Sequence, residues 1–67
     1  MFDTVSVPDV IILEKLEDSI RFTCAGRLYT VPHEYLFDEV EALQVGVTCE
    51  LEIFRSWVNQ NDVPHVR

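Results

Sequence analysis

Apolar and polar residues alternate most strictly late in the chain, where Val47, Cys49, Leu51 and Ile53 interleave with Thr48, Glu50 and Glu52. A period of two is that of a half-buried β-strand, with one face on a core and the other in water. The same period recurs in Ile20, Phe22 and Cys24, which alternate with Arg21 and Thr23. Ala25-Gly26 then marks a turn, with Gly26 free to take positive φ as a bulge after a type I turn, and Arg27 to Val31 returns as the partner strand. Upstream, Val10 to Leu16 opens with four successive apolar residues and reads as another strand, preceded by a short one over Thr4 to Val7.

The period changes after Pro32. Leu36, Val40 and Leu43 fall at i, i+4 and i+7, the inward stripe of a short helix over residues 34–43, and Gly46 closes the segment. All three prolines follow valine, at Val7-Pro8, Val31-Pro32 and Val63-Pro64. Residues before proline favour extended backbone and proline cannot sit inside a ladder, so these pairs read as strand ends. After Trp57-Val58 the chain enters the turn-rich Asn59-Gln60-Asn61-Asp62, and residues 59–67 read as a loose tail or a last edge strand over Val63 to Val66. The order strand, strand, strand, short helix, strand, with short terminal strands, predicts a mainly β fold: one small domain over residues 1–67, an SH3-like or OB-like barrel.

Length allows nothing larger. A chain of 67 residues buries only about 60% of the surface its unfolded form exposes. The apolar share of 48% supplies one core. The opening "MFDTVSVPDVIIL" has neither a basic n-region nor a long apolar run, so neither export nor a membrane span is read from it. Cys24 and Cys49 are too few for a disulfide framework and read as buried thiols in a reducing cytoplasm.

Candidate chemistry is sparse. Cys24, His33, Cys49 and His65 lack the closely spaced pairs that hold structural zinc, so no metal or other cofactor is expected. Cys24, with Arg27 and His33 nearby in the turn region, is the better of two weak nucleophile candidates, and no group to orient a base accompanies it. The only two glycines form no phosphate-binding loop. A non-enzyme is therefore expected, with a small cysteine- or metal-dependent enzyme as the opposing reading.

Charge carries more information. The net charge is −7, from twelve acids against five bases. Direct nucleic-acid binding and an anionic membrane are disfavoured, and a basic protein surface is favoured. The imbalance is local: Leu28 to Phe54 holds Glu34, Asp38, Glu39, Glu41, Glu50 and Glu52 with no Lys or Arg, while the other forty residues hold six acids and five bases. On a helix, Glu34, Asp38 and Glu41 would share one stripe, with side chains about 5–6 Å apart. Glu50 and Glu52 would stand roughly 6.5–7 Å apart on a strand face. Such a spacing could imitate backbone phosphates. The expectation is an acidic, non-catalytic protein-binding module, in its sharper form a nucleic-acid-mimicking inhibitor of a nucleic-acid-binding protein. Phe54 and Trp57 are its expected aromatic anchors. The plainer alternatives are a solvated acidic surface and a structural homo-oligomer joined through open strand edges.

Overall fold

Two runs that read as separate strands form one. In the computed structural model, which describes residues 3–65, β1 spans Thr4–Lys15, followed by β2 (Ser19–Cys24), β3 (Arg27–Pro32) and β4 (Thr48–Phe54), and then the helix α1 (Arg55–Gln60). Pro8 does not end β1 because a bulge absorbs it. The register against β4 shifts between Val7 and Val10, and Asp9 takes φ 57°. An extra residue reverses the inward parity, so Val5 and Val7 face the core before the bulge, and Val10 and Ile12 after it. The apolar run that follows divides accordingly, with Ile11 and Leu13 exposed.

As an interior strand, β1 serves two neighbours. The first part of β1 pairs with β4 and the latter part with β2, both antiparallel, giving the sheet order β3-β2-β1-β4. The β2–β3 hairpin departs from the expected turn. Cys24 pairs with Arg27 across a two-residue loop, and Ala25 and Gly26 both take positive φ, 53° and 77°. That is the backbone of a type I′ turn, whose twist suits a hairpin better than a type I turn followed by a bulge.

Between the third and fourth strands, the helical element consists of two 3-10 turns, His33–Tyr35 and Val40–Ala42, rather than one α-helix over 34–43. Competition for backbone partners explains this. Leu36 bridges Ile53 on β4, and the Phe37 N–H donates to the Glu52 carbonyl at 2.9 Å, so these groups cannot join a helical ladder. The i, i+4, i+7 spacing still located core contacts: Leu36 is buried, and Val40 and Leu43 pack against the core from one side.

The chain after β4 is helical where a turn-rich tail was expected. Helix α1 ends in a Schellman arrangement. The Val63 N–H bonds to the Val58 carbonyl and the Asp62 N–H to the Asn59 carbonyl, with Asp62 at φ 55°. This turn buries Val63, which lies outside any strand. Val66, the last residue of the expected edge strand, and Arg67 after it lie outside the described residues. Phe22 is fully buried at the centre of the core, with Tyr29 stacked on it at 5.5 Å between ring centroids and Trp57 tilted against it at 6.4 Å. The result is a small, mainly β, barrel-like domain whose single sheet does not close.

Candidate acidic interface

The connection from β3 to β4 carries Glu34, Asp38, Glu39 and Glu41, and the outward positions of β4 carry Glu50 and Glu52. That connection is pinned to the free edge of β4 at Leu36 to Asp38, where the two sets meet. Asp38 marks the join: its Oδ2 accepts the Glu52 backbone N–H at 2.9 Å. Asp38 is thus a structural acid, satisfying a donor that the edge of β4 would otherwise leave unpaired. Glu52 is partly engaged as well, since its carboxylate accepts the Thr4 hydroxyl across the sheet. Glu34, Glu39, Glu41 and Glu50 are exposed.

Without a continuous helix, the expected Glu34–Asp38–Glu41 stripe does not form, and the regular 5–6 Å spacing does not apply. What brings the acids together is tertiary. A strand edge and the segment bonded to it place Asp38 beside Glu52, one strand step from Glu50. Two of the bases are engaged elsewhere. Arg21 pairs with Glu14 at 3.6 Å and Arg55 with Asp3 at 2.8 Å. Among the described residues, no ion pair reaches any of the six acids of residues 28–54.

The aromatic anchors fare differently. Trp57 is only 6% exposed and packs on Phe22, so it is a core residue and offers no surface contact. The physical reason is α1, which turns that side chain inward. Phe54 is half-buried at the end of β4, immediately before α1. Sequence reasoning gave no role to Phe37, which is exposed beside Glu52 and is the aromatic residue standing at the acidic strip. Its signal was its position next to Asp38, masked by the helical reading.

In β4, Leu51 and Ile53 face inward and Thr48 and Glu50 outward, as the alternation predicts. Val47 departs from it: it precedes the strand and is 50% exposed.

Neither cysteine is activated. Cys24 is buried, with its thiol 3.5 Å from the Pro8 carbonyl oxygen rather than turned toward Arg27. Burial pushes its pKa up, and the Asp9 carboxylate adds to the effect. Burial likewise raises Cys49, with a further contribution from Asp38. The two thiols are free, and β1 lies between their strands. At about 4.8 Å per strand step, their Cα atoms sit roughly 9–10 Å apart, beyond what a disulfide spans.

His33 is held in place, its Nε2 3.2 Å from the Ser19 carbonyl oxygen. It lines an open depression of about 360 Å³ with Asp18, Pro32 and Glu34. Among the described residues, no group of His, Cys, Asp and Glu is arranged to hold a metal ion. None of their helices is long and apolar enough to cross a membrane. Comparison of the chain with protein-family models, with curated proteins and with solved structures found no match in any of the three.

Proposed function

We propose that this chain is a non-catalytic binding module whose acidic strip meets a basic surface on a protein partner. One observation carries the reading: Asp38 of the β3–β4 connection is bonded to Glu52 on the β4 edge, and among the described residues no ion pair reaches any acid of residues 28–54, while Arg21 and Arg55 are each matched to an acid elsewhere. An unmatched field of one sign raises the rate at which an oppositely charged surface is met and orients the approach. Glu34, Glu39, Glu41 and Glu50 supply charge, and Asp38 and Glu52 supply charge from fixed positions. Two unpaired thiols held in the protonated form fit a reducing cytoplasm and a non-enzyme.

The sharper form is occupation of a nucleic-acid-binding protein at its phosphate-contacting face. The test is to recover the partner from the native host by cross-linking and then measure association by surface plasmon resonance at low and high salt. Replacing Glu34, Glu39 and Glu41 with lysine spares Asp38, whose substitution would also disturb β4. That variant should associate at least tenfold more slowly at low salt and lose most of its salt dependence. Duplex DNA should displace the wild-type protein if the partner's phosphate-binding face is what it covers. Unchanged rates in the variant would leave the acids as a solvated surface.

A further inference from the structure

The β2–β3 hairpin determines which backbone groups of β3 point away from the sheet. In a two-residue hairpin the flanking pair, here Cys24 and Arg27, exchanges both hydrogen bonds. Bonded and non-bonded pairs then alternate, so Arg27, Tyr29 and Val31 turn their N–H and C=O groups toward β2. Leu28 and Thr30 turn theirs to the open edge. β3 is the terminal strand of the sheet, and no other backbone bond reaches Leu28 or Thr30 among the described residues. Pro32 stands at the next outward position, where its missing N–H removes no bond to β2.

Arg27 and Pro32 bound this edge, and between them it has no device against pairing. From Leu28 to Val31 it carries no charge, and Leu28 is 58% exposed. Exposed edges of soluble proteins are commonly blunted by lysine, proline, inward charge or a bulge, and here Pro32 blunts only the end of the strand. The charges at its two ends are complementary in one sense only. Arg27 opens the strand and Glu34 lies just past its close. An antiparallel copy would bring each Arg27 toward the other's acidic end, whereas a parallel copy would place Arg27 against Arg27. The strand is also free of acids in a chain of net charge −7, which lowers the repulsion between two such chains at this edge. At the midpoint sits Tyr29, whose hydroxyl is buried without a hydrogen-bond partner among the described residues.

We propose that the occupant of this edge is a second copy of the chain. The two β3 strands run antiparallel, with Leu28 opposite Thr30 of the second copy and Tyr29 opposite its own counterpart. Leu28 and Thr30 of each copy exchange N–H···O=C bonds, and the two four-stranded sheets become one continuous sheet. This interface lies on a different strand from the acidic strip, so it can stand or fall independently of the proposed function. Because like net charges oppose it, it strengthens with salt, the opposite of the trend expected for the acidic strip and a basic partner.

The experiment is sedimentation velocity over a dilution series, with amide hydrogen exchange at the same concentrations. The wild-type mass should move from 7.8 kDa toward twice that value as concentration rises. The Leu28 and Thr30 amides should become protected in step with it, while Tyr29 and Val31 stay protected throughout. Thr30→Pro removes only the outward donor and leaves the β2–β3 ladder intact, and Leu28→Lys places a charge on the edge. Both should remain monomeric with an unchanged circular dichroism spectrum. Ile11→Lys, on the outer face of the central strand β1, should dimerise as the wild type does. A wild-type chain that stays monomeric to millimolar concentration overturns the proposal. So does a dimer that survives both edge substitutions, or one broken by Ile11→Lys alone.

Discussion

Removing the Asp38 carboxylate separates the acids that build the fold from those that only decorate it. In Asp38→Ala the Glu52 N–H, on the outer edge of β4, loses its 2.9 Å acceptor. A hydrogen bond to a charged group contributes about 1.5–3 kcal/mol. Asp38 is half-buried, and water can partly replace it. The expected loss is therefore about 1–2 kcal/mol. A domain of this size shifts by roughly 4–8 °C per kcal/mol, so the melting temperature should fall by about 5–15 °C. The total stability of 67 residues is about 3–10 kcal/mol, so the variant should still fold at room temperature. Asp38→Asn keeps an oxygen acceptor and should lose less than half as much. Glu39→Ala, an exposed neighbour whose side chain makes no capping bond, should stay within about 0.5 kcal/mol of wild type. Urea unfolding followed by tryptophan fluorescence reads all three, since Trp57 is buried only in the folded state. If Asp38→Ala matched Glu39→Ala, the Asp38–Glu52 bond would not hold the connection to β4, and the account of how the acids adjoin would be wrong.

Two residues hold positive φ without being glycine at turns that close elements, Ala25 in the hairpin and Asp62 after α1. Ala25→Asn and Asp62→Gly should each stabilise by about 0.5–1 kcal/mol, a rise of a few degrees by calorimetry. The thiols give a pH dependence of definite sign. Burial raises both above the ordinary value, so the folded state holds their protons more tightly than the unfolded chain does. The stability they contribute is full below the unfolded value of about 8.5 and is lost as pH rises through the raised folded values. Urea midpoints should therefore fall on the alkaline side, and the fall should be shallower in a Cys24→Ala, Cys49→Ala variant.

Much of the sheet was legible because alternation reports a half-buried strand directly. Ile20, Phe22, Cys24, Leu51 and Ile53 all face inward or are buried where the pattern placed them. Three features were not legible, the first two because a non-local bond decided them. Pro8 looked like a strand end, yet β1 continues past it through a bulge that pairing with β4 stabilises. Leu36, Val40 and Leu43 showed the helical period, but Leu36 and Phe37 bond to β4 and leave only two short turns. Trp57 sat among turn-forming residues, and nothing in its neighbours signalled a helix only six residues long that delivers it to the core. The acidic strip was visible as composition and hidden as geometry. Counting charges found it, but the link from Asp38 to the Glu52 backbone could come only from the fold.

The central claim is that the position of the acids matters, beyond their number. Two double reversals separate these with a defined probe, a short oligo-arginine peptide. Glu39→Lys with Glu41→Lys changes the strip, and Glu14→Lys with Glu17→Lys changes an acidic pair outside residues 28–54. Each takes the net charge from −7 to −3, since −7 + 4 = −3. Association rates measured by stopped flow at low salt should fall severalfold more in the first variant than in the second, and the difference should vanish at high salt, where fields beyond about 3 Å are screened. Equal losses in the two variants would mean that only the total charge is felt, and the acidic interface proposed for this protein would be contradicted.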